Sequence, residues 1–449
     1  MNKKKWALLV LCAALLFGYF KLFYKTYSET VIAKNADAII AIDVKRVTNT
    51  LIWNFITTPG LWKIRSHSSN KKEEVNWKDM IAIPDYVLAF HIKDQPVNTW
   101  YVVLQIKDEK DFEKGLLQYH FEKLNTNQYV SNTVGLQLYK NGNQILVSTA
   151  AAENANEVAA IADELFVKKL HITKETLVKV INAKSHLAVY LAANNFLQQD
   201  GIITANFNKQ KIEINSIVIP NKQFSFTENN FVYSSKSLFT LCFTQPSQPV
   251  YHLLSDSTKS SISKALGFSM DSLLLPANKY YALDIEAIKQ RVDSAVTYSY
   301  DDDFNKVEKR VVNNVQEPAF NFFGSGDSAK QFYTYCLGNN KIDKTDSRQI
   351  FTAIPFVKSY FDTMVNKGIN ITAANYVFPK TNSEFAGILF LHLLVSEIPD
   401  NLLKYFPDDF KKILSNIESI QLEINRNNEQ LVINFLMLKK NNDLPIIKL

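Results

Sequence analysis

The chain has 449 residues, of which 47% are hydrophobic and 12% aromatic, with 30 Phe and 20 Tyr against 12 Gly. That length supports roughly two or three domains with a sizeable buried core, and the composition excludes global disorder and collagen-like or linker-rich architectures. The formal charge of +6 comes largely from Lys3, Lys4, Lys5, Lys21 and Lys25, which flank one apolar run; the remainder carries +1 and offers no electrostatic case for a nucleic-acid partner.

The apolar run is Trp6 to Phe20, WALLVLCAALLFGYF, without a charge. As a helix, fifteen residues rise about 23 Å, short of a hydrocarbon layer of roughly 30 Å. Lys21 can snorkel its ammonium to the headgroups, which extends the span to Tyr24 and makes Trp6, Tyr19 and Tyr24 interfacial anchors. Contact with a lipid bilayer is therefore expected through residues 6–24. The bulky sequence Gly18-Tyr19-Phe20-Lys21 favours an uncleaved anchor over a cleaved signal peptide, and Cys12 follows Leu11, where a lipidated cysteine needs a small predecessor. Three lysines ahead of the span against Lys21 and Lys25 behind it place the N-terminus inside and the body outside.

After a polar connector, Ala36 to Asp43 reads as a buried strand and Val44 to Phe55 as a helix with Asp43 as its cap. Pro59-Gly60 closes it, and Arg65 to Lys78 reads as an exposed loop. Tyr86 to Lys93 and Thr99 to Ile106 are strands around a turn at Asp94 to Pro96. Asp108 can cap a helix carrying Phe112, Leu116, Leu117 and Phe121. Leu136 to Tyr139 and Gln144 to Ser148 flank Asn141-Gly142, whose residues tolerate the positive φ of a tight hairpin turn. Helices over Glu153 to Phe166 and Lys174 to Ala183, a strand at Leu187 to Ala192, and a hairpin from Ile203 to Phe207 with Lys211 to Ile219 complete an α+β pattern.

Asn221 to Ser272 is rich in Ser, Asn and Gln, with Phe239 to Phe243 its clearest strand. Beyond it, PANKYYALDI (Pro276 to Ile285) echoes NADAIIAIDV (Asn35 to Val44), aligning Asp284 with Asp43, and helical spacing follows in both. Proline-led strands at Pro84 and Pro318, strands at Leu187 to Leu191 and Ala386 to Leu391, and a closing hairpin in each half follow in order. These echoes predict an internal duplication of α+β halves built from antiparallel hairpins and helices. The expected organisation is an anchor over 1–25, a first half over 26–220, a bridging segment over 221–273 and a second half over 274–449.

Chemistry with local spacing is scarce. His67, His91, His120, His171, His186, His252 and His392 show no HxxxH or HExxH spacing, so hydrogen-bonded structural histidines are favoured over a metal site. Gly267-Phe268-Ser269-Met270-Asp271 lacks the second Gly of a nucleophile elbow. Gly324-Ser325-Gly326 reads as a turn, since no phosphate loop or GxGxxG is present. Asp301, Asp302 and Asp303 with Glu308 read as a solvated acidic loop, because contiguous aspartates do not converge on Ca²⁺ as alternating ones do. Asp43 and Asp284 could be a paired-carboxylate site, but capping is the favoured role for both. Cys242 and Cys336 could bridge in an oxidising compartment; buried free thiols are the plainer reading. No catalytic, cofactor or metal residue is thus assigned.

A basic N-terminus, one anchor and a duplicated body rich in Phe, Tyr, Asn and Lys resembles the uncharacterised single-pass envelope proteins of Gram-negative bacteria, in layout and without any family-specific motif. The resemblance implies an inner-membrane anchor with the C-terminal body in the periplasm, and transfers no functional residue. The functional expectation is a non-enzymatic envelope protein that binds or scaffolds a protein, lipid or glycan partner. The alternative is an envelope hydrolase whose Asp, Ser and His converge only in space.

Overall fold

The structure is a computed structural model that describes residues 23–58, 75–244, 255–274, 278–300, 304–326, 329–345, 348–354, 357–364, 368–378, 383–404 and 407–440. Contacts divide it into two units, the first ending at Lys209 with Ile214–Ile219 added, the second running from Pro220 to Asn442 with Gln210–Glu213. Most of the anchor lies outside the described residues, as do Asp301 to Asp303 and most of the Arg65 to Lys78 loop. Among the described residues no helix is long and apolar enough to cross a membrane.

In the first unit, β1 (Ala36–Asp43) runs into helix α1 (Val44–Thr57), and α2 (Trp77–Met80) precedes β2 (Ile81–Ala82). Next come β3 (Tyr86–Ile92), β4 (Tyr101–Ile106), α3 (Glu109–Gln118), β5 (Glu122–Lys123), β6 (Gln128–Ser131), β7 (Leu136–Asn141) and β8 (Gln144–Ser148). Helices α4 (Ala155–Ala162) and α5 (Lys174–Ile181) lead to β9 (Leu187–Leu191), β10 (Gly201–Phe207) and β11 (Lys211–Val218), whose residues from Ile214 on belong to this unit. All pairings are antiparallel, in the order β5-β6-β7-β8-β4-β3-β1-β9-β10. Side-chain bonds from Thr204 to Asn215 O and from Ser216 to Ile202 O set β11 beside β10. Local signals explain several elements. Asp108 caps α3 by accepting from Asp111 N at 3.0 Å, and Gly142, with φ of 60°, makes the β7–β8 turn. Phe90, Phe112 and Tyr101 are fully buried, the two Phe rings each contributing on the order of 1.5–3 kcal/mol through apolar area removed from water.

The second unit has β12 (Asn229–Tyr233), β13 (Phe239–Thr244), α6 (Asp256–Leu266), α7 (Met270–Leu274), β14 (Asn278–Tyr300), β15 (Lys306–Gly326) and α8 (Ala329–Gly338). It continues with β16 (Ile342–Lys344), β17 (Gln349–Phe351), β18 (Ser359–Met364), β19 (Gly368–Ala373), β20 (Ser383–Gly387) and β21 (Leu389–Leu394). Helices α9 (Asp400–Leu403) and α10 (Asp408–Ser415) precede the hairpin β22 (Ile417–Asn427) and β23 (Gln430–Lys439). The sheet order is β16-β17-β18-β19-β15-β14-β13-β21-β22-β23, again antiparallel throughout. Strand for strand this is the order of the first unit, with α8 in the place of α3. β12 and β20 form a separate two-stranded sheet.

Two expectations are corrected here. The α+β class gives way to a mainly antiparallel β fold, in which strand outweighs helix nearly two to one. Much of the excess is β14 and β15. After Asp284, the residues Ile285, Ile288, Val292 and Val296 recur at helical spacing, yet the chain continues as strand, held by a ladder from Asn278/Gly326 to Tyr300/Lys306. Cross-strand pairing overrode the local period. β13 pairs with β14 only over Tyr280 to Ile285, so the ladder runs on from Ala287/Ala319 as a two-stranded ribbon. Gly324 to Gly326, expected as a turn, are also part of β15.

The second correction concerns Asp43 and Asp284. Asp43 ends β1, whose counterpart in strand order is β13, whereas Asp284 lies in β14, the counterpart of β3. The two aspartates are not equivalent. A period-two pattern marks a strand without saying which strand of a sheet it is, so the ten-residue echo matched neighbours.

Candidate binding pocket

Asp43 is a structural carboxylate. Only 2% exposed, it accepts from Arg46 N at 2.8 Å and caps α1, and its second oxygen pairs with Lys25. The same end of this sheet carries a polar row. Tyr86 is opposite Asp43, Asp43 N donates to His186 O at 3.0 Å, and His186 N and Nδ1 reach Asn206 Oδ1 at 3.3 and 3.2 Å. His186 Nε2 lies 2.7 Å from Thr50 Oγ1, which ties α1 to the sheet.

The matching strands of the second unit carry a longer row. Register places Thr372, Asn321, Asp284, Thr240, His392 and Gln421 side by side across six strands, and residues directly opposite share a face. Thr372 Oγ1 donates to Asn321 Oδ1 at 2.7 Å and Thr240 Oγ1 to Asp284 Oδ1 at 2.8 Å. Tyr376 OH donates to Asp284 Oδ2 at 2.9 Å. Asp284 therefore caps no helix; it stands half-buried in the middle of a sheet, held by two neutral hydroxyls.

Over this row lies a pocket of about 280 Å³. Tyr280, Asp284, Asn321 and Phe323 of β14 and β15 form its floor, and the β12 segment, with Phe231 and Tyr233, roofs it; Tyr376 and Phe378 close one side. The Tyr280 ring lies 5.6 Å from both Phe231 and Phe323, and Tyr376 meets Phe378 edge-on at 5.1 Å. β12 is held there by Phe231, 1% exposed, packing with Cys242 and Phe390. No His, Cys, Lys or Arg is among the lining residues. A larger cavity of about 890 Å³, lined by Lys236, Glu286, Ile288 and Leu394 among others, shares Ser234 and Phe378 with it.

The remaining candidates are structural. Cys242 and Cys336 are free and buried, and burial pushes both thiols up to about 12, so neither is a thiolate nucleophile at neutral pH. Gly267 ends α6 with φ of 73°, and Ser269 Oγ accepts from Ser272 N at 3.5 Å at the next helix. His91 bonds Asp37 at 2.7 Å, but its other nitrogen is taken by Pro96 O at 3.2 Å. Among the described residues no group of three His, Cys, Asp or Glu could hold a metal ion. No protein-family model, curated protein or solved structure matches the chain.

Burial lowers the pKa of His171, His186 and His392 below the ordinary 6.5. As pH falls, the unfolded chain takes up these protons first, so the contribution to stability is complete above about pH 6.5 and is lost below it. The urea midpoint is expected to be lower at pH 5 than at pH 7.5, and His392→Leu to weaken that dependence. An unchanged slope of midpoint against pH in the variant would show that His392 is not among the groups responsible.

The pocket had no sequence signal of its own. Sequence patterning marks Asp284 only as a helix cap, which it is not, and carries no signal for Asn321, Tyr280 or Tyr376; their common feature is register, which needs the sheet.

Proposed function

We propose that the protein is a non-enzymatic binding protein of the cell envelope, whose ligand seat is the ring-walled pocket of the second unit. The observation that carries this reading is the lining itself. Six aromatic rings surround a carboxylate and two amides, and no imidazole, thiol or amine lines the space, a mainly apolar cleft with few polar groups to fix orientation, as small-ligand sites are built. Residues 6–24 would hold the body at the membrane, on its outer side, where protease added to spheroplasts should reach it.

The hydrolase alternative rests on Thr50, His186 and Asn206, whose 2.7 and 3.2 Å contacts follow the nucleophile, base and orienter order. Those bonds also join α1 to β9 and β10, and the Phe207 ring covers the imidazole at 4.0 Å, which accounts for them as a buried polar junction.

The full chain, purified in detergent, tests the choice. A small-molecule thermal-shift screen should find ligands whose effect falls at least tenfold in apparent affinity with Tyr376→Phe or Phe378→Ala and is unchanged by Thr50→Ala. Turnover of an ester or amide substrate that disappears with Thr50→Ala would replace the binding reading with the catalytic one.

A further inference from the structure

Resting on that reading, we propose that the pocket takes an organic cation, a methylated ammonium group seated over Asp284 among the aromatic rings. The first argument is charge. On the same two strands Glu286 has Lys289 at 2.8 Å and Glu317 has Arg291 at 3.3 Å. Asp284 has no cation within 4.0 Å among the described residues; its hydrogen-bond partners are the hydroxyls of Thr240 and Tyr376. Two neutral donors orient a carboxylate and leave its charge standing, and a half-buried charge without a counter-ion attracts one. The surroundings feel it. Burial first, and then Asp284, raises the phenol of Tyr376 above its ordinary range. An anionic ligand would meet this field and be repelled.

The second argument is shape. Tyr233, Tyr280, Phe231, Phe323, Tyr376 and Phe378 enclose the space next to the carboxylate. Ring faces carry negative quadrupole density and draw cations that are too weakly hydrated to resist desolvation, which methylated ammonium groups are. Each Asp284 oxygen accepts one hydroxyl and keeps a further lone pair, so it is the surrounding rings, which offer faces and no acceptors, that favour a methylated ammonium over one rich in N–H donors. A space of about 280 Å³ suits a headgroup, and the cavity of about 890 Å³ that shares Ser234 and Phe378 gives room for the rest of a larger molecule.

The ammonium group has two possible sources, a free solute or a lipid headgroup, and the test separates them. The full chain in dodecyl maltoside is titrated with choline, with its uncharged isostere 3,3-dimethyl-1-butanol, and with N-acetylglucosamine. In a second arm it is mixed with vesicles with and without phosphatidylcholine. Choline is expected to bind and the isostere to bind at least tenfold more weakly, with weaker binding at higher salt. Asp284→Asn should remove most of the difference between the two. Phe378→Ala, at a rim ring 64% exposed, should weaken choline without disturbing the fold, and serves if Asp284→Asn does not fold. Binding to the choline-lipid vesicles alone would assign the headgroup as the source, and binding of free choline the solute. Equal binding of the isostere, or a preference for the sugar, would overturn the cation and leave the binding reading in place. If none of the probes bind and the wider screen finds no pocket-dependent ligand, both fall.

Discussion

Gly368→Ala is expected to destabilise the second unit by about 4 kcal/mol or more, a size seen only when one identifiable contact fails. Gly368 opens β19 with φ of 129°, a region that residues with a Cβ rarely adopt, and a Cβ built there would stand 2.0 Å from Gly324 O. The obstacle is backbone on β15, paired with β19 over Asn321 to Gly324, so relief requires the two strands to part. Gly338, at the end of α8, has nothing within 4 Å of an added Cβ, and Gly338→Ala should change stability by less than about 1 kcal/mol. Urea unfolding of the two variants under one set of conditions provides the comparison. Similar midpoints for both would show that β15 and β19 can part enough at Gly324 to admit a Cβ at little cost.

Asp43→Ala should cost about 3 kcal/mol in the first unit. Two losses combine. The α1 cap supplied to Arg46 N contributes about 1 kcal/mol, and the charged bond to Lys25 about 1.5–3 kcal/mol. Because the Lys25 side chain is 24% exposed, its ammonium can turn to water when orphaned, which keeps the total below that of a fully buried pair. Asp43→Asn retains an oxygen for the cap and should lose about half as much. Equal losses in the two variants would place the whole effect on the charge and none on the cap.

These two residues also mark where sequence reading works. Asp43 was legible because a cap is a local arrangement: a carboxylate three residues before the N–H it satisfies needs only the strand-to-helix junction around it. The same locality made Asp108 and Asn141-Gly142 readable. Gly368 carries no local signal, since its constraint is a carbonyl 44 residues away in β15, brought close only by sheet pairing.

The larger departures have the same origin. Ile285, Ile288, Val292 and Val296 carry a helical period, and a partner strand paired residue by residue with β14 outweighs it. Asp284 was matched to Asp43 because alternation is common to all half-buried strands, and only the pairing partners distinguish β14 from β13. By itself, then, the sequence determined a large-cored chain with an apolar basic-flanked N-terminus, its caps and tight turns, and the absence of contiguous catalytic spacing. The tertiary structure decided the mainly antiparallel β architecture, the common strand order of the two units, and the placing of Asp284 and Asn321 side by side beneath Phe231. The reason is range. Caps and turns are set by bonds spanning two to four residues, whereas register across a sheet is set by partners tens to hundreds of residues apart, whose choice depends on every other strand buried with them.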